Sequence, residues 1–349
     1  MARPTIRDVA QRAGVSIATV SRALNEKGDI RPETRERVHV AARELGYAAD
    51  PSARALVTHR THVVGVVVGD NAGHRDLSLI FFGKVLAAIA RRLGGAHYEA
   101  LLMQAEDLPS RPLDAAIVIG MDGDEPLVVE CAKRVPLVGV DVRIDGKETA
   151  FVGSDHAEGV RLALAHLHAL GHRRVAHIAG AVNTVAGRVR LETFAREAER
   201  LGLDVPEQYL RRGDFSSASG YREACAALAL DEPPTAIVAA SDHMALAVLQ
   251  AVWDSGATPG RDVAVIGFDD LEAAALAHPP LTTIRQDRQE LGTLAAQRAL
   301  ELIERPAAMK RETVVPVELV VRASTTTAGP DPQGSDAKQR AWPRFTRRG

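Results

Sequence analysis

Two cysteines, Cys131 and Cys225, are all that the 349 residues contain. So few, so far apart, supply neither a disulfide framework nor a cysteine-rich metal site, and they fit a reducing compartment. No apolar run approaches the roughly 18 residues that a membrane span needs. The opening residues, Met1-Ala2-Arg3-Pro4-Thr5-Ile6-Arg7-Asp8, hold no apolar stretch of a secretory signal, so a cytoplasmic protein with no membrane partner is expected. There is neither a P-loop nor a G-x-S-x-G elbow, which removes two readable catalytic signatures. Net charge is also small, 43 Lys and Arg against 45 Asp and Glu, a balance of −2. That near-neutrality speaks against nucleic acid only if the charge is evenly spread.

The charge is uneven. Residues 1–60 hold 11 basic and 7 acidic side chains, residues 61–330 hold 27 and 36, and residues 331–349 hold 5 and 2. A small basic module joined to an acidic body suggests a polyanion on one side and something else on the other. At roughly 150 residues per domain, the length allows two or three compact units with a core needing no staple.

Residues 5–45 carry three short amphipathic periods. Ile6, Val9, Ala10 and Ala13 fall on one helical face; Gly14 breaks the helix and tolerates the positive φ of a tight turn. Ser16 suits an N-cap, and Ile17, Val20 and Leu24 line the helix after it. Pro32 opens a third, from Glu33 to Leu45, which Gly46 ends. Helix, glycine turn and polar-headed second helix over Asp8–Asn25 fit a helix-turn-helix, whose second helix enters the major groove. A plain three-helix bundle with solvated arginines fits the same periodicity.

From Val63 the pattern changes. Apolar runs at 63–68, 100–103, 115–119, 137–140, 176–178, 235–239 and 263–267 read as buried strands. Helical periods between most of them, at 79–93, 155–170, 189–201, 218–228, 243–253 and 291–303, predict an α/β body of parallel sheets, with too many strands for one lobe. Eleven residues separate Met103 from Ala115, fewer than the dozen or so of a parallel crossover, so the helix there is expected to be absent or cut to a turn. Ser324–Gly349, rich in Thr, Gly, Pro and Arg, reads as a disordered basic tail.

The strings Thr5-Ile6-Arg7-Asp8-Val9-Ala10, Ala13-Gly14-Val15-Ser16, Thr19-Val20-Ser21-Arg22-Ala23-Leu24-Asn25, Pro32-Glu33-Thr34-Arg35-Glu36-Arg37-Val38 and Glu44-Leu45-Gly46-Tyr47 closely resemble the DNA-binding headpiece of the lactose-repressor (LacI/GalR) family. Pro51-Ser52-Ala53-Arg54-Ala55-Leu56 resembles its hinge. The resemblance implies a headpiece at 1–48, a hinge and linker at 49–62, and a two-lobed body at 63–323 like that of periplasmic sugar-binding proteins, before the tail at 324–349. It implies that Ile17, Ala18 and Arg22 read bases, that Thr5, Ser16, Thr19, Ser21, Asn25 and Thr34 sit on phosphates, and that Ala53 and Leu56 meet the minor groove. Arg22 has the geometry for guanine O6 and N7; Ile17 and Ala18 offer only apolar contact, as to a thymine methyl. An apolar wedge such as Leu56 kinks DNA.

The body carries the resemblance in Val152-Gly153-Ser154-Asp155, Leu170-Gly171-His172-Arg173-Arg174-Val175, Gly213-Asp214-Phe215, Ser241-Asp242-His243-Met244-Ala245, Val265-Ile266-Gly267-Phe268-Asp269-Asp270 and Pro280-Leu281-Thr282-Thr283-Ile284. It implies crossings between lobes near 150–155, 280–287 and 315–323. It places Arg190, Asp269, Asp141 and Phe215 in an effector cleft, with Asp70, Phe81 and Ser241 beside them. Carboxylates and an arginine suit vicinal hydroxyls, and an aromatic ring suits a sugar's apolar face. Ser241 stands where the family usually has Asn, and the loop 69–78 lacks the usual Asn-Pro before Phe81-Phe82.

The expectation is thus a homodimeric regulator, most naturally a repressor, that binds a pseudo-palindromic double-stranded DNA operator and answers to a small effector, with no cofactor, metal or catalysis. His166, His168, His172 and His177 cluster in sequence, but i, i+2 spacing on a helix splits the first two between faces. Asp122 and Asp124 fail the EF-hand spacing. A sugar-active enzyme using Asp141 and Asp269 as paired carboxylates, or a sugar-binding protein, are the alternatives. Residues 324–349 contain no Leu, so a leucine-heptad tetramer tail is not expected.

Overall fold

The computed structural model describes residues 4–24, 30–47, 60–69, 75–121, 123–305 and 311–325. The expectations placed on Asn25, Ala53, Leu56, Asp70 and residues 326–349 lie outside them. The chain divides into two units at His62/Val63.

In the first unit, α1 (Ile6–Ala13), α2 (Ile17–Leu24) and α3 (Pro32–Leu45) enclose Val9, Val20, Ala23, Val38 and Ala41. Alanines at the crossings let the helices approach closely around a small core. Gly14 takes φ 66°, and the next amide, Val15, bonds back to the Ala10 carbonyl at 3.1 Å, closing α1 and turning the chain into α2.

The second unit holds two six-stranded sheets. The first lobe contains β1 (Val63–Val68), α4 (Arg75–Gly94), β2 (Glu99–Met103), β3 (Ala115–Ile119), α5 (Pro126–Ala132), β4 (Leu137–Val140) and β5 (Thr149–Ser154). The second contains α6 (His156–Ala169), β6 (Val175–Ala179), α7 (Val185–Arg200), β7 (Leu210–Arg212), α8 (Ser217–Leu228), β8 (Ala236–Ala239), α9 (Asp242–Asp254), β9 (Ala264–Asp269), α10 (Glu272–Leu276) and β10 (Thr282–Gln286). The chain then returns: α11 (Arg288–Glu304) packs on the first sheet through Leu291, Ala295 and Ala299, β11 (Glu312–Val315) joins that sheet, and β12 (Val317–Val320) joins the second. Those are the three crossings expected. They make each lobe discontinuous and bind the two lobes through three strands of backbone.

The first sheet is ordered β11-β5-β4-β3-β1-β2, all parallel, and the second β12-β10-β9-β8-β6-β7, parallel except for β12, which runs antiparallel to β10. Parallel strands covered on both faces must be apolar throughout, which is why β3 and β4 are buried at every position. Between β2 and β3 there is only a 3-10 turn at Ala105–Asp107, as the short spacing requires. Leu108 and Leu113 from this segment fold onto Val67, Ala116 and Val118, covering the face that a helix would otherwise cover.

The expected disordered tail needs correcting at its first two residues. Ser324 and Thr325 are buried: the Ser324 hydroxyl donates to the Val265 carbonyl at 2.6 Å and accepts the Thr282 amide at 2.8 Å, and Thr325 meets His166 and Thr282, each at 3.0 Å. Two polar residues that read as tail are thus polar pegs, each satisfied inside the second lobe.

Candidate nucleic-acid interface and ligand cleft

On α2 the buried residues are Val20 and Ala23, which leaves Ser16, Ile17, Ala18 and Arg22 exposed together. Ile17 is 46% exposed, unusual for so large an apolar side chain at a helix start. Thr19, Ser21 and Thr34 are half-buried. Several expected phosphate contacts also hold the headpiece's own backbone. Ser16 Oγ accepts the Thr19 amide at 3.1 Å and pairs with Thr19 Oγ1 at 2.9 Å, so it caps α2. Thr5 donates its amide and hydroxyl to Asp8 Oδ2 at 2.7 and 2.8 Å, and these bonds hold the Asp8 carboxyl below its usual value. Arg22 is folded along the helix, its Nε donating to the Ala18 carbonyl at 3.3 Å.

In the second unit Asp141, Arg190 and Asp269 come together, although 128 positions separate the outer two in sequence. Asp141 follows β4 and Asp269 ends β9, where parallel α/β sheets present ligand sites. Arg190 projects from α7, 4% exposed, and is clamped by the Ala240 carbonyl, by His156 and by the Phe268 ring, 3.6 Å from its guanidinium carbon. Burial pulls its pKa below the ordinary value, opposed by the charges of Asp269, Asp141 and Asp242. Asp269 is 4% exposed and accepts the Gln286 amide at 2.7 Å. Burial raises its pKa well above the carboxylate range despite the pull of Arg190, and Asp242 adds to the rise. Asp242 is itself raised by burial, while the Thr283 hydroxyl at 2.6 Å and the Leu271 amide at 2.8 Å favour its ionised form.

Strain gathers here. Asp141, Phe215, Asp269 and Asp270 have φ of 53°, 70°, 126° and 50°. Each such residue costs about 1–3 kcal/mol, and such conformations concentrate at binding and switching sites. Unpaired polar atoms gather here too. Arg190 Nε, Gln286 Oε1 and Ser154 Oγ are buried with no hydrogen-bond partner among the described residues. One donor, one acceptor and one hydroxyl left open on residues that neighbour Asp141 or Asp269 are what a hydroxylated ligand satisfies.

The other expected cleft residues are placed as follows. Phe215 lies over the end of β6, its ring filling the space a side chain at residue 180 would need. Phe81 is half-buried, edge-on to Phe82 at 4.8 Å with the Arg288 guanidinium 5.7 Å from its ring. Ser241 caps α9, accepting the Met244 amide at 3.3 Å, and is 5% exposed. The clustered histidines diverge: His166 turns to Thr325, His172 to Thr235 and His177 to the Val238 carbonyl. His156, Asp242, Phe268, Gln286 and Arg288 belong to the constellation but were not singled out as binding residues. His156 directly follows a marked string, Asp242 and Phe268 lie inside two others, and Gln286 and Arg288 lie within and just after the marked crossing at 280–287, which is the signal that could have found them.

A helix-turn-helix unit followed by a two-lobed α/β body with a buried polar cluster at its strand ends is the architecture of a DNA-binding regulator. Residues 5–50 match the model described as bacterial regulatory proteins, lacI family, and residues 164–325 match a periplasmic binding protein-like domain. The lactose operon repressor of Escherichia coli (strain K12) is 32% identical over 92% of this chain and 90% of its own. The HTH-type transcriptional regulator CelR of Thermobifida fusca is 33% identical over 91% and 96%. Among solved structures, the Lac repressor dimer bound to operator and the anti-inducer ONPF superposes with a TM-score of 0.80 at 30% identity, covering 93% of this chain and all of that one. A CelR–cellobiose complex gives 0.70 at 30%, covering 92% and all of it. The chain belongs to the lacI family of bacterial regulatory proteins, and it is a DNA-binding regulator of transcription. No helix among the described residues is long and apolar enough to cross a membrane.

Proposed function

We propose that this regulator is a cytoplasmic repressor that binds a pseudo-palindromic operator as a homodimer and is controlled by an uncharged polyol, a sugar or close relative, held between its lobes. The observation that carries the ligand class is the trio of unpaired buried atoms, Arg190 Nε, Gln286 Oε1 and Ser154 Oγ, beside Asp141 and Asp269. Arg190 already faces the Asp141 carboxylate, so an anionic ligand would meet a like charge there, whereas hydroxyl groups both donate and accept. The relative solved with cellobiose supports the same class. On α2, Arg22 is assigned to a guanine, Ile17 and Ala18 to apolar base edges, and the hydroxyls of Thr5, Ser16, Thr19, Ser21 and Thr34 to phosphates; Asn25, Ala53 and Leu56 extend that surface. Asp70, Phe81, Phe215 and Ser241 complete the cleft. Asp141 and Asp269 hold ligand hydroxyls and do no hydrolysis.

The test is selection of genomic fragments by the purified protein, then titration of cellobiose, lactose and ribose against the selected operator. Release by a neutral sugar, without its turnover, is expected. Equal binding to operator and scrambled DNA would sink the regulator reading; response only to acidic or phosphorylated sugars would sink the ligand class.

A further inference from the structure

One cleft side chain reaches charged groups of both lobes. His156 opens α6, just beyond the first crossing, and is 3% exposed. Its Nε2 lies 3.0 Å from Asp141 Oδ1, which belongs to the first lobe. Its Nδ1 lies 3.2 Å from Arg190 Nη2, which belongs to the second. A guanidinium has donors only, so Nδ1 must accept. An imidazole with a bare Nδ1 carries its proton on Nε2, which then donates to Asp141. The contacts therefore fix one neutral tautomer and one direction: Arg190 donates to His156, and His156 donates to Asp141.

Both ends of this chain are built for it. Asp141 adopts φ 53° and also accepts the Ser154 amide at 3.2 Å. Its carboxylate occupies a notch above Gly153, where a Cβ would stand 2.5 Å from Oδ1. Arg190 is held by the Ala240 carbonyl and the Phe268 face, so it cannot follow a displaced His156. Among the described residues, two other side-chain hydrogen bonds or ion pairs join the lobes. Lys84–Glu272, at 3.3 Å, is exposed and so contributes little, and Arg288 Nη2 reaches only a carbonyl, that of Asp270, at 3.1 Å.

We propose that His156 is a positioning residue, a neutral donor–acceptor bridge that ties Arg190 of the second lobe to Asp141 of the first and passes changes at Arg190 to the arrangement of the lobes. A ligand hydroxyl that takes the Arg190 donor or the Asp141 oxygen removes one bond of the bridge, giving the ligand a different affinity for each lobe arrangement. The bridge rests on the effector reading only for what displaces it; it exists without ligand, and is tested without ligand.

The test uses the full chain. Imidazole ¹⁵N spectra, with the His156 signal assigned by its loss in His156→Gln, should show a neutral ring protonated at Nε2. A ring protonated at Nδ1, or an averaged pair of tautomers, would overturn the bridge with no variant in question. Spin labels at Ser110→Cys and Asp231→Cys, with Cys131 and Cys225 replaced by alanine and labelled protein diluted into unlabelled, then report the distance between lobes. His156→Gln, which keeps one donor and one acceptor on a planar group, should retain the wild-type distance. His156→Met, with neither, and His156→Glu, without the donor, should shift or broaden it. A distance unchanged in Met and Glu, or changed equally in Gln, would show that the residue merely fills space. Failure of cellobiose, lactose and ribose to bind would count against the effector reading alone and leave these ligand-free results standing.

Discussion

The guanidinium of Arg190 lies against the face of Phe268, 3.6 Å from carbon to ring centroid, with both side chains out of water. A desolvated cation–π contact of this kind contributes about 2 kcal/mol or more. It offsets part of the cost of burying the cation, and Asp141, Asp242 and Asp269 offset more. A double-mutant cycle of Arg190→Met and Phe268→Leu, read by urea unfolding, should therefore give a coupling near 2 kcal/mol. Strictly additive losses would mean that the stack is incidental.

Arg22 is exposed on α2 and, among the described residues, bonds the carbonyl one turn back at 3.3 Å, so little must be given up for it to reach a base. Arg22→Ala should cost about 1–3 kcal/mol for each guanine contact and relax the preference at that base pair in each half-site. Arg12→Ala is the control, because Arg12 bonds Glu44 at 2.6 Å. Binding-site selection with both variants separates the outcomes; unchanged preference in Arg22→Ala would remove that residue from base reading.

Most of the framework was readable from residues alone where burial forces a simple pattern. A parallel strand covered on both faces must be apolar throughout, so Val63–Val68 and Ala115–Ile119 announced themselves. The strands that did not, β5, β7, β10, β11 and β12, are short, carry Gly, Arg or Glu, or lie at sheet edges, where a polar residue costs little. The pairing of lobes came from resemblance, since periodicity cannot say which sheet a strand joins. In the cleft, Asp141, Arg190 and Asp269 were legible through the family resemblance, each at a matched position. His156, Phe268 and Gln286 were not, because a neutral ring, a core aromatic and an amide acquire a role only when three distant segments meet. The left-handed backbone of Asp141 and Asp269 has no sequence signature at all, since aspartate is an unremarkable occupant of either conformation.

The first lobe depends on close approach between α11 and α4. A Cβ at Gly292 would stand 2.3 Å from the Val85 carbonyl oxygen and 2.8 Å from Ala88 Cβ, both on a helix that cannot yield by turning a side chain. Gly292→Ala should lower stability by about 1–3 kcal/mol through overpacking, despite alanine's better helix propensity. Chemical denaturation measures this directly. A stabilised variant would show that the helices separate freely, and would place the lobe's rigidity elsewhere.

The buried carboxyl of Asp269 makes a prediction about pH. Burial raises its pKa from 3.8 to about 8. Across that window the folded protein holds a proton that the unfolded chain has released. Its contribution to stability is therefore fully present below about pH 4 and is lost as pH rises through about 8. His177 has the opposite sign. Burial lowers its pKa from 6.5 to about 4, so its contribution is present above 6.5 and lost as pH falls through about 4. The two oppose one another in the acid range, and Asp242, raised to about 6 by burial, adds to the Asp269 trend only there. Above neutrality Asp269 acts with the least interference. Wild type should thus lose stability between about pH 6.5 and 8.5, and Asp269→Asn, which keeps an acceptor for Gln286 but cannot ionise, should be distinctly flatter. Unfolding by urea at several pH values compares the slopes. Parallel slopes would mean that Asp269 is ionised in the folded protein throughout, paired with Arg190 more strongly than its burial opposes.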